Sequence, residues 1–85
     1  MHKRAAYDLA VGLALRELHR ERHAMRERVG DALEVTDLGV TRIETGEEPL
    51  TAGGVILLLK LFDLSWDDFL ERVQRHLPEA ESEIL

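Results

Sequence analysis

No cysteine occurs among the 85 residues, which excludes a disulfide framework and any thiolate-ligated zinc or iron–sulfur site. Long apolar runs are missing too. The longest, Val55 to Leu59, has five residues, against the ~20 that span a bilayer. The basic start Met1-His2-Lys3-Arg4 is not followed by a signal-peptide core with a small-residue cleavage site. No stretch alternates convincingly with period two, no internal repeat is present, and no linker divides the chain. There is no nucleophile–base pair, glycine-rich phosphate loop or ligand triad, so neither an enzyme nor a cofactor is expected. The expectation is a small, soluble, cytoplasmic domain. At this length a chain buries only ~60–65% of the surface its unfolded form exposes, enough for one core.

The apolar fraction, 45%, and the charged fraction, 33%, are ordinary for a folded domain. A net charge of −6 argues by itself against a nucleic-acid partner. Its distribution changes that. Residues 1–30 carry seven basic side chains (Lys3, Arg4, Arg16, Arg20, Arg22, Arg26 and Arg28) and four acidic ones, a balance of +3. Residues 31–85 carry four basic and thirteen acidic ones, a balance of −9. One face can meet phosphate while another repels it.

The periodicity is helical throughout. Tyr7, Val11, Ala14, Leu15 and Leu18 recur at three- and four-residue steps, and Met25, Val29, Ala32 and Leu33 follow on one side of a second helix. Thr36 is the expected N-cap of a short third helix with apolar contacts at Val40 and Ile43, stopped by Thr45-Gly46. Thr51 caps a fourth helix, whose first turn holds Gly53-Gly54 and is expected to fray. Ser65-Trp66-Asp67-Asp68 reads as a capping box. Trp66, Phe69, Leu70, Val73 and Leu77 mark a fifth helix, which Pro78 is expected to close. The expected organisation is all-α, with a single helix-turn-helix domain over residues 1–77 and a mobile acidic tail over residues 78–85.

Three blocks carry a resemblance. Val11-Gly12-Leu13-Ala14-Leu15-Arg16-Glu17-Leu18, Thr41-Arg42-Ile43-Glu44-Thr45-Gly46 and Leu64-Ser65-Trp66-Asp67-Asp68-Phe69-Leu70 resemble, in order and spacing, the opening helix, recognition-helix end and closing helix of the lambda-repressor-like (Xre, Cro/repressor) family. The resemblance covers roughly residues 9–72 and implies five helices, with a helix-turn-helix at the second and third. Arg26 then stands where the family usually has glutamine, and Gly30 where its two helices touch. Three positions depart from the pattern: Glu34 replaces the turn glycine, His23 the glycine ending the first helix, and Met25 the cap of the second. Glu34 must therefore adopt a left-handed conformation or reshape the turn. Without the other two signals, the first two helices either run together or meet through an irregular turn.

The same resemblance puts Asp37, Leu38, Thr41 and Arg42 at base edges in the major groove. It puts Arg26 on phosphate, and the basic balance of the first thirty residues offers Arg20, Arg22 and Arg28 as further phosphate contacts. Gly53 and Gly54 can bring backbone amides near phosphate, or simply form a loosely wound turn. Asp37, Glu47 and Glu48 oppose a polyanion. His19 and Glu44 are expected to pair. His19, His23 and Glu27 stand at metal-capable spacing but read as surface side chains, so no metal is expected. Asp67-Asp68 is a helix-start charge pair, since adjacent helical positions face apart. Trp66 and Phe69 read as core aromatics before a ligand pocket. Surplus apolar surface on the fourth helix, at Leu57 and Leu61, together with the resemblance, whose family dimerises near the fifth helix and so brings in Trp66 and Phe69, implies a homodimer. The expected function is a sequence-specific transcriptional regulator that occupies a duplex-DNA operator as a dimer. The alternative is a protein-interaction module, antitoxin-like or an anti-activator subunit, on a fold that no longer binds DNA.

Overall fold

The computed structural model describes residues 3–22 and 26–84. Within them the chain forms five helices: α1 (Lys3–Glu21), α2 (Arg26–Leu33), α3 (Asp37–Glu44), α4 (Ala52–Phe62) and α5 (Trp66–Ile84). The described residues contain no strand, and none of their helices is long and apolar enough to cross a membrane. His23 and Met25, two of the three departures from the family pattern, lie outside the described residues.

Local chemistry fixes most helix ends. Thr36, Thr51 and Ser65 each accept, through the side-chain oxygen, the amide three residues on: Gly39 at 3.1 Å, Gly54 at 3.0 Å and Asp68 at 3.1 Å. The start of α4 is thus capped rather than frayed. Three helix C-termini share a second device, in which one amide reaches back five residues and its predecessor reaches back three. Val35 to Gly30 and Glu34 to Asp31 close α2, Glu47 to Arg42 and Gly46 to Ile43 close α3, and Leu64 to Leu59 and Asp63 to Lys60 close α4. The pivot residue in each is left-handed: Glu34 (φ 59°), Gly46 (φ 80°) and Asp63 (φ 50°). Glu34 therefore takes the strained option, and the turn keeps its shape.

α1 is the hub. Leu15 and Leu18 are fully buried with Val29, Val40, Leu58 and Phe69 in a core to which all five helices contribute. The buried stripe of α1 runs through Ala6, Leu9, Ala10, Ala14, Leu15 and Leu18, while Tyr7 is half exposed. Tyr7 does not belong to the apolar face expected from periodicity. At Gly12 the α1 backbone meets the carbonyl end of α3. A β-carbon there would fall onto the Ile43 oxygen and within 2.8 Å of the Glu44 oxygen, so only glycine permits this approach.

α5 differs most from expectation. Pro78 does not close it; the helix runs on to Ile84, and residues 79–84 continue it instead of forming a separate tail. Ala80 is fully buried and Ile84 packs against the core. α5 runs antiparallel to α1, since Arg72 pairs with Glu21 and Glu17 while His76, one turn on, pairs with Glu17. A proline inside a helix costs ~3 kcal/mol against alanine. Burial of Ala80 and Ile84 along this long α1–α5 seam offsets it.

Candidate nucleic-acid interface

α3 presents its exposed face to solvent and its buried face, Val40 and Ile43, to the core. Asp37, Leu38, Thr41 and Arg42 all lie on the exposed side. Leu38 is 57% exposed. Gly30 sets the seat of α3 against α2: a β-carbon at Gly30 would stand 2.8 Å from the Val35 oxygen and 3.6 Å from the Val40 side chain.

Polar side chains then lock α3 to its neighbours. The Glu44 carboxylate is buried, 6% exposed, and is shared by two helices. His19 Nδ1 of α1 lies 3.1 Å from Oε2, and Arg26 Nη1 of α2 lies 3.6 Å from Oε1. The expected His19–Glu44 pair is present, with Arg26 as an unforeseen third member. Arg26 Nη1 also donates to Thr41 Oγ1 at 2.9 Å, and Thr41 Oγ1 donates to the Asp37 carbonyl at 3.2 Å. Around this junction Arg16, His19, Arg20, Arg26, Thr41, Glu44 and Thr45 line an open concavity of about 220 Å³. Arg16 and Arg20 form no ion pair within 4 Å with any described residue. Arg16 was not singled out from the sequence, although it stands one turn before Arg20.

Other expected contacts fall elsewhere. Arg22 lines a depression with Arg72 and Arg75 of α5 and Leu64, away from the α3 concavity. Arg28 is exposed on α2. Arg42 pairs with Glu48 at 3.5 Å across the loop that follows α3. Gly54 is buried and its amide already serves the Thr51 cap, which leaves only Gly53 of that pair open to solvent. Phe69 is 2% exposed, so it belongs to the core and cannot reach another subunit. Leu61 is partly buried against the core. Leu57 and Trp66 are exposed, together with Ile56 and Leu70, which were not expected at an interface.

A second charged cluster lies along the α1–α5 seam. Arg72 donates to Glu17 and to Glu21, to the latter at 2.8 and 3.0 Å, while Arg75 and His76 reach Glu17 at 3.3 and 2.8 Å. Burial raises the Glu17 carboxyl, but hydrogen bonds from His76 and Arg72 and the neighbouring charges of His76 and Arg75 outweigh it and leave the group below its usual range. The Arg72 hydrogen bond lowers Glu21, and the same bond raises Arg72 above the ordinary guanidinium value.

Fold and site together define an all-helical, five-helix domain with an exposed short helix beside a basic concavity. No family model matches the chain, nor does any curated protein or solved structure.

Proposed function

We propose that the protein is a sequence-specific DNA-binding regulator of the lambda-repressor-like type, with α2 and α3 as its helix-turn-helix. One observation carries the reading. The exposed face of α3 combines Leu38, Thr41 and Arg42, and a hydrogen bond ties that face to Arg26 at the start of α2, beside Arg16 and Arg20, which pair with no acid among the described residues. A helix docked in the major groove needs such a face for base edges and flanking cations for phosphate. Arg26 uses Nη1 for Thr41 and Glu44, so its remaining donors stay open to a phosphate oxygen. The exposed apolar side chains Ile56, Leu57, Trp66 and Leu70 on α4 and α5 support a homodimer, which would span two half-sites about one helical turn apart.

A second reading has its own observation. Arg42 is paired with Glu48, and Asp37, Glu47 and Glu48 are exposed around it. That acidic surround suits a protein partner in place of DNA, as in an antitoxin-like or anti-activator subunit. Binding to random-sequence duplex over a salt series separates the two. For a DNA reader, Arg26→Ala weakens binding nearly equally on all sequences and flattens the salt slope by about one unit. Arg42→Ala costs ~1–3 kcal/mol on the preferred site and relaxes preference there. No salt-dependent retention and no selected motif would reject the DNA reading in favour of the protein partner.

A further inference from the structure

Thr41 sits on the exposed face of α3 with its hydroxyl already committed. A guanidinium can only donate, so Arg26 Nη1, at 2.9 Å, must be donating to Thr41 Oγ1. A backbone carbonyl can only accept, so Thr41 Oγ1, at 3.2 Å from the Asp37 oxygen, must be donating there. A hydroxyl has one proton and two lone pairs. Its proton is therefore occupied, along with one lone pair. Both bonds are anchored, the first because Glu44 holds the same Arg26 nitrogen at 3.6 Å, the second because the carbonyl belongs to the turn of helix beneath. What Thr41 can offer a ligand is its Cγ2 methyl and a single acceptor. Leu38, one turn earlier and 57% exposed, offers only apolar surface.

Together Leu38 and Thr41 make an apolar pair, three residues apart, on an otherwise polar face. In the major groove only one base presents an apolar group, the 5-methyl of thymine. We infer that α3 recognises thymine through its 5-methyl group, by contact with the Thr41 methyl and Leu38, and not by a hydroxyl hydrogen bond from Thr41. The inference rests on the DNA reading of the α3 face. Arg26 occupies one lone pair of the hydroxyl, while the bond to the Asp37 carbonyl sets which way the hydroxyl, and hence the methyl, turns.

The experiment uses the full chain and starts with selection of a preferred duplex from random sequence. Each thymine of that duplex is then replaced by deoxyuridine, which removes the methyl and leaves base pairing intact. The expected result is a loss of about three- to fivefold for each methyl that is read, the worth of one buried carbon. Thr41→Ser keeps both hydrogen bonds and removes the methyl, leaving Leu38 as the only apolar contact, so it weakens the thymine–uracil difference at one position. Thr41→Val keeps methyl surface and loses the hydroxyl, so the difference survives. Circular dichroism of both variants checks that the helices persist. A selected motif with no thymine, or one indifferent to uracil throughout, overturns the inference and leaves the DNA reading standing. So does a Thr41→Ser variant whose discrimination is undiminished. Failure to retain any duplex overturns both.

Discussion

Glu34 is a non-glycine residue at φ 59°, in the turn that joins α2 to α3. For an L-residue the left-handed conformation costs roughly 1–2 kcal/mol, from crowding between the β-carbon and the carbonyl oxygen. Glycine escapes that cost but gives back ~0.4–1 kcal/mol through the greater freedom of its unfolded chain. Glu34→Gly should then stabilise the fold by about 0.5–1 kcal/mol. Nothing else changes in the native state: the side chain is exposed and makes no ion pair with a described residue. The two backbone bonds of the turn, at 3.2 and 2.9 Å, need no side chain. Glu34→Ala is the control, since it removes the same charge but keeps the β-carbon, and it should leave stability nearly unchanged. Urea titration followed by circular dichroism reads the difference, as does a thermal melt, in which the glycine variant should gain about 2–8 °C. Equal midpoints for the glycine and alanine variants would falsify the claim that backbone strain is stored in this turn.

Gly12→Ala is expected to destabilise by at least about 2 kcal/mol in chemical denaturation despite alanine's better helix propensity, because its β-carbon meets two α3 carbonyls and the helices must part; a neutral result would mean that α1 and α3 are not in contact there. Glu17 has a lowered carboxyl pKa, so its contribution is present above the unfolded value of ~4.3 and is lost as pH falls through the folded value. Glu17→Gln should therefore cost about 1 kcal/mol at pH 6 and progressively less as the pH falls below the unfolded value, and a cost that does not shrink with acid would show that the carboxylate is unpaired. Sedimentation at tens of micromolar should detect a dimer that Ile56→Glu with Leu57→Glu converts to monomer; an unchanged monomer in both forms would remove the self-association proposal.

What the sequence disclosed follows the range of the forces involved. Caps at Thr36, Thr51 and Ser65 are decided within three residues, and each appears where it was expected. His19–Glu44, 25 residues apart, was reached only through a family resemblance. Pro78 was misread because the local rule it invokes is correct but outweighed: Ala80 and Ile84 find burial in the core, along a seam no local signal announces. Tyr7 was misread because the stripe that α1 buries includes three alanines and a glycine, whose hydropathy is weak even though their small size lets neighbouring helices approach. Trp66 and Phe69 read from the sequence both as core and as partner surface, and the packing of α5 on α1 divides them: Phe69 lies in the core, as one reading had it, while Trp66 is exposed and is not a core aromatic.

The Glu44 junction also governs how the α3 surface can be changed. One buried carboxylate holds a side chain from α1 and another from α2, so α3 is pinned to both and its outward face keeps a fixed orientation. Positions 38 and 42 hang from that frame without supporting it: Leu38 is exposed, and Arg42 bonds only a solvent-facing acid in the loop. They can be exchanged freely, and a library varied there would change the surface that α3 presents while the fold stayed intact. Thr41 is different, because its oxygen is one of the bolts. Replacing it alters what the helix presents and also releases Arg26 from one of its two anchors. A redesign of this surface would therefore treat positions 38 and 42 as replaceable parts and positions 26, 41 and 44 as a unit to be moved together.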